Sequence, residues 1–155
     1  MNQSPTLFEM RSEEDLRADA IALNQSRVHE VITGGKPWPL NLNQRRVLEG
    51  VRYRQGALQA ISIAELEQKL NLSPREIKSC VRELVVTFHL AIVASRDSER
   101  GGYFFATTAD ERRIFSSDYL KEAVQLIRRA QIIRNEPDVN VLLGQLALDL
   151  KEGSL

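Results

Sequence analysis

The stretch from Ser62 to Leu84, "SIAELEQKLNLSPREIKSCVREL", fits two helix starts of one kind into a short span, and it constrains the fold more than any other part of the chain. A serine followed three residues later by glutamate is a capping box: the hydroxyl accepts from a backbone N–H in the first turn, and the carboxylate accepts from the serine N–H. Ser62 with Glu65 makes the first start; Ser73 with Glu76 makes the second, and there Pro74 takes the favoured first helical position. Between them Ile63, Leu66 and Leu70 give a short helix one buried edge, and Asn71-Leu72 leave room only for a tight turn. Two helices joined so closely follow the helix-turn-helix plan.

In the second of these helices Ile77, Val81, Leu84, Val85 and Phe88 fall on one arc at 3.6 residues per turn, with Cys80 beside them. Arg75, Lys78, Ser79 and Arg82 fall on the opposite arc. Arginine and lysine donate to guanine O6 and N7, and all four residues can contact phosphate, so this face has the chemistry of a major-groove recognition helix. A solvated helix face has the same composition, and the helix by itself does not separate the two. Val86, near Arg82, is expected to pack against the neighbouring hairpin rather than touch a thymine methyl.

The flanking segments decide the context. Downstream, "LAIVASRDSERGGYFFATT" reads as a strand at Ile92 and Val93, a polar turn from Arg96 to Gly101, and a second strand from Tyr103 to Ala106. Upstream, "NQRRVLEGVRYRQG" reads as a helix from Asn43, with Val47, Leu48 and Val51 inward, Arg45, Arg46, Arg52 and Arg54 outward, and Gly56 closing it. The "AIS" that follows is expected to add a third strand. In this order the sequence resembles the winged helix-turn-helix DNA-binding family and, more loosely, small winged-helix proteins carried by phages and plasmids. The resemblance covers residues 43 to 107 and rests on element order, on "LSPREIKSCVREL" and on the glycine-led "GGYFF".

That resemblance implies a mainly α protein with a small β-hairpin wing, flanked by N- and C-terminal helices. It implies binding to double-stranded DNA, as a transcriptional regulator or a replication or packaging accessory, without a cofactor. Arg75, Lys78, Ser79 and Arg82 would enter the major groove, and Arg96 and Arg100 would meet the backbone or minor groove. The rival reading uses the same fold as a protein-protein adapter that does not bind DNA. Two departures temper the DNA reading. Asp97 and Glu99 alternate with the wing arginines, and 21 Lys and Arg are balanced by 21 Asp and Glu, so a single copy would neutralise few phosphates. Cations are nonetheless concentrated in the middle, with ten Lys and Arg against seven Asp and Glu between residues 43 and 106. An anionic partner should meet the middle, and dimerisation would strengthen the contact.

Residues 1 to 42 read as an N-terminal helix and a proline-rich connector. After Ser12, the acids Glu13-Glu14-Asp15 suit a helix start, Leu16, Ala20, Leu23, Val28 and Val31 recur inward, and Gly34-Gly35 supply the stop. Trp38, between Pro37 and Pro39, is expected to plug a groove between the N-terminal helix and the next unit, with an exposed binding aromatic as the alternative. Residues 108 to 155 read as a helical region for oligomerisation or interaction. Thr108 with Glu111 opens a helix expected to reach about Arg134, with an interruption near Ser116-Ser117. Tyr119, Ala123, Leu126, Ala130 and Ile133 recur four and three apart as a and d positions do, a seam for the N-terminal helix of the same chain or for a second copy in a homodimer. A last amphipathic helix after Pro137, with Leu142 and Leu146 on its apolar side, would cover its own dimer or another protein.

Other function classes find little support. No apolar run approaches the roughly 18 to 20 residues of a membrane span, and the N-terminus has no apolar signal core, so a cytoplasmic protein without a membrane partner is expected. Cys80 is the single cysteine and sits in a helical apolar pattern, which reads as a reduced core thiol. His29 and His89 are far apart without metal-ligand spacing, and His89, after Phe88, is expected to be a helix-terminal core histidine. Gly34-Gly35 and Gly101-Gly102 read as turn glycines rather than phosphate cradles, and no nucleophile elbow or nucleotide fingerprint occurs. An enzyme is not expected.

Overall fold

The structure is a computed structural model describing residues 11–34, 37–96, 101–135, 138, 140, 141, 143 and 144. Among these the protein is mainly helical with one small antiparallel sheet. The order is α1 (Glu13–Gly34), α2 (Leu42–Val51), a single 3-10 turn (Ala57–Gln59), α3 (Ile63–Leu70), α4 (Pro74–Val86), β1 (Ile92–Ser95), β2 (Gly102–Phe105) and α5 (Ala109–Arg134). The chain divides into two compact units between Phe115 and Ser116.

Local chemistry sets the helix boundaries. At α3 and α4 both capping boxes form: Ser62 Oγ accepts from the Glu65 N–H and Ser73 Oγ from the Glu76 N–H, while each carboxylate accepts from its serine N–H at 2.9 and 2.8 Å. The turn between them passes through Asn71 in the left-handed region, φ 52°, a conformation asparagine tolerates better than most residues. A third box, Asn41 with Gln44, starts α2 at Leu42, one residue before the expected start, and α2 ends at Val51, well before Gly56.

Val47, Leu48 and Val51 of α2, Leu66 of α3, and Ile77, Val81 and Leu84 of α4 form the core with Ile61, Leu90, Ile92, Tyr103 and Phe105. Each large apolar side chain taken from water contributes about 1.5–3 kcal/mol, so this cluster is the main source of cohesion. Cys80 is buried, and burial pushes its thiol pKa up, as an inert core thiol requires.

The hairpin pairs Ile92 with Phe105, Val93 with Phe104, Ala94 with Tyr103 and Ser95 with Gly102. The expected third strand shrinks to one residue: Ile61 and Tyr103 exchange both backbone hydrogen bonds, at 3.0 and 2.8 Å. Gly102 makes that approach possible. A Cβ there would lie 2.2 Å from the Ile61 carbonyl oxygen. Tyr103 and Phe105 face the core, whereas Phe104 is buried on the other face, edge-on to Phe115 of α5 with ring centroids 5.2 Å apart.

α1 differs from its expected orientation. Val28 and Val31 are buried, but Leu16 and Leu23 are more than half exposed, and the third inward position is Asn24. The Asn24 amide donates to Gln55 Oε1 and to the Ala106 carbonyl, both at 3.1 Å, so a polar clamp replaces the leucine contact. Three further expectations are corrected. Trp38 does not plug a groove: it packs T-shaped against Phe88 and stays 57% exposed. His89 is exposed at φ 55°, where the chain turns out of α4 and the Leu90 N–H closes on the Leu84 carbonyl. α5 runs through Ser116-Ser117 without a break, as serine outside the first turn costs a helix little.

Candidate nucleic-acid interface

α4 presents its two faces as the periodicity requires. Ile77, Cys80, Val81 and Leu84 are buried, Arg75, Lys78 and Arg82 are exposed, and Ser79 is half-buried at the edge between them. Spacings of three and four residues align the three cations in one stripe. Val86 continues the stripe and is 66% exposed, contrary to the expected packing on the hairpin.

The charges of α4 are not equivalent. Its two acids are engaged: Glu76 accepts from Ser73, and the Gln44 side-chain amide donates to Glu83. The Ser73 hydroxyl and N–H hold the Glu76 carboxyl below the usual glutamate range, and the Ser62 N–H and hydroxyl do the same for Glu65. Arg75, Lys78 and Arg82 make no hydrogen bond or ion pair with any described residue. Among the described residues, the carboxylates of the helix have hydrogen-bond partners and its cations have none.

Lys78 and Arg96 line one cleft together with Ile63, Ser95, Gly101 and Tyr103. The end of β1 carries Arg96 to the same cleft that the second turn of α4 enters, a convergence that linear spacing does not reveal. Arg100 lies outside the described residues, as do Asp97 and Glu99. On α2, Arg45 is exposed, but Arg46 is half-buried and donates to the Leu70 carbonyl, capping the end of α3. Arg52 is likewise committed, to Glu49 at 2.9 Å and over the Tyr53 ring at 4.5 Å. Both therefore serve the fold rather than a free basic surface.

A roomier cleft of about 600 Å³ lies elsewhere, between the first turns of α1 and the start of α5, and shares no residue with the α4 face. Beside it Glu111 accepts from the N–H groups of Ala57 and Thr107, both at 2.8 Å, from the Thr107 hydroxyl at 3.1 Å and from the Thr108 N–H at 3.3 Å. Burial pushes the Glu111 carboxyl up, but these donors outweigh it and leave the pKa below the usual value. Glu111 is thus a strut joining the start of α5 to the 3-10 turn and the end of β2. The sequence showed only its capping half, with Thr108.

Of the seam expected in the C-terminal third, Tyr119, Ala123, Leu126 and Ile133 are exposed and Ala130 is half-buried. Leu142 and Leu146 lie outside the described residues. Among the described residues no group of His, Cys, Asp and Glu is placed to hold a metal ion, and no helix is long and apolar enough to cross a membrane. Comparison with protein-family models, curated proteins and solved structures finds no match to the chain.

Proposed function

We propose that residues 43 to 107 form a winged helix-turn-helix domain that binds duplex DNA, with α4 as the recognition helix and the β1–β2 hairpin as the wing. The observation that carries the reading is the sorting of charge on α4, where Glu76 and Glu83 each accept hydrogen bonds within the protein while Arg75, Lys78 and Arg82 are exposed and have no hydrogen-bond or ion-pair partner among the described residues. With both carboxylates already accepting hydrogen bonds, Arg75 and Arg82 would be available for base edges, and Lys78 and Arg96 for phosphate. The element order, with Ile61 bridging Tyr103 beside the hairpin, supports the winged form. A regulator of transcription, or a replication or packaging accessory, is the corresponding role.

The test is selection of a bound sequence from a random duplex pool, followed by Arg75→Ala and Arg82→Ala against the selected site. Loss of roughly 1–3 kcal/mol of specific affinity in either variant supports base contact. Unchanged affinity in both removes the assignment. A second reading, a winged-helix adapter for another protein, is favoured by the exposed apolar residues of α5 and by a net charge of zero. It predicts that Arg75 and Arg82 are dispensable.

A further inference from the structure

The part of α5 beyond the unit boundary carries apolar side chains that a helix in water does not need. Tyr119 is 58% exposed, Leu120 66%, Leu126 55% and Ile133 84%, and with Ala123 and Ala130 they sweep one broad side of the helix. A contiguous apolar face on a helix calls for an occupant.

The charges bordering that face identify it. With Tyr119, Leu126 and Ile133 at d and Ala123 and Ala130 at a, the g positions are Glu122 and Arg129 and the e positions include Leu120 and Ile127. Glu122 and Arg129 are both exposed, and neither has a hydrogen-bond or ion-pair partner among the described residues. We infer that this face pairs with a second copy of the chain, running antiparallel about a twofold axis that passes between Val124 and Gln125.

In an antiparallel pair a meets d, g meets g and e meets e. Ala123 then packs on the partner's Leu126 and Tyr119 on the partner's Ala130, small against large in both layers. Along one border Glu122 faces the partner's Arg129, and symmetry repeats the contact. Along the other border Leu120 faces the partner's Ile127, apolar against apolar. A parallel pair satisfies none of the borders: g meets e, which sets Glu122 beside the partner's Ile127 and Arg129 beside the partner's Arg134. The single charge of each sign at g is therefore self-complementary in one direction only. This inference stands apart from the DNA reading and does not depend on it.

The experiment is sedimentation equilibrium of the full chain across a concentration series at low and high salt, with Glu122→Arg and Arg129→Glu made singly and together. All the altered positions are exposed, and far-UV circular dichroism checks that each variant keeps its helix content. The parent should dimerise. Each single reversal puts like charges together twice per dimer and should weaken it by roughly tenfold at low salt. The E122R/R129E double variant should recover the parental affinity, and an equimolar mixture of the two single variants should form mixed dimers tighter than either alone. A parent that stays monomeric throughout, as it would if the apolar face packs within its own chain, overturns the inference. So does a dimer unmoved by both reversals, or a double variant as weak as the singles.

Discussion

Replacing Glu111 by alanine should destabilise the first unit of the protein strongly for a change at a half-exposed position. Four donors converge on this one carboxylate: the N–H groups of Ala57, Thr107 and Thr108 and the Thr107 hydroxyl. A hydrogen bond to a charged group is worth about 1.5–3 kcal/mol when buried. Glu111 is only half-buried, so solvent competes for every donor, and a combined loss of about 3 kcal/mol is the discounted expectation. At roughly 3–6 °C per kcal/mol for a unit between the small and the larger size classes, Tm should fall by about 9–18 °C. Glu111→Gln, which keeps one acceptor oxygen but turns an amide N–H₂ toward donors, should cost about 2 kcal/mol. The pKa of Glu111 is lower in the folded protein than its ordinary 4.5, so its stabilisation is complete above that value and fades as pH drops through the lower folded value. Urea titrations followed by circular dichroism at pH 7 and at a series of pH values below 4.5 measure both effects. If Glu111→Ala unfolds within about 0.5 kcal/mol of the parent at pH 7, the strut has no energetic role and the reasoning is wrong.

Three further outcomes follow from the same geometry. Gly102→Ala should destabilise by at least about 2 kcal/mol in urea titration, because the new Cβ meets the Ile61 carbonyl oxygen at 2.2 Å across a backbone bridge that cannot move aside. Asn24→Ala should cost about 2–3 kcal/mol by the same assay, since it leaves the buried Gln55 amide oxygen and Ala106 carbonyl without their donor; parental stability would mean that α1 is held by Val28 and Val31 alone. Lys78→Ala should lower affinity evenly for all duplex sequences and reduce the salt dependence by about one phosphate, measured by anisotropy on two unrelated duplexes. A sequence-selective loss would instead make Lys78 a base reader.

Features set by local chemistry were legible in the sequence, and those set by contacts across the fold were not. Ser62, Ser73 and Thr108 announced three helix starts because a capping box is complete within four residues. Asn41 with Gln44 follows the same rule with an amide in place of the carboxylate, and it starts α2 at Leu42, one residue before the expected Asn43. The inward stripe of α4 was plain from its period, and so was the outward run of Arg75, Lys78 and Arg82. In α1 the period alone puts Asn24 on the face of Val28 and Val31, but an apolar pattern passes over an asparagine, whose partners Gln55 and Ala106 come from two distant segments. Arg46 and Arg52 looked like their neighbours but are consumed by Leu70 and Glu49. The engagement of Glu83 by Gln44, which sharpens the charge contrast on α4, joins residues far apart in the chain.

The central claim, that the α4 face meets duplex DNA, is tested most directly by the salt dependence of binding to a short random duplex. Arg75, Lys78, Arg82 and Arg96 are the cations placed to meet it, so log affinity should fall linearly with log salt at a slope of roughly −2 to −4 per bound copy. Combining Arg75→Ala, Lys78→Ala and Arg82→Ala should flatten that slope to roughly −1, the share left by Arg96. No binding at low salt, or a slope that the triple substitution leaves unchanged, contradicts the account and turns attention to a protein partner.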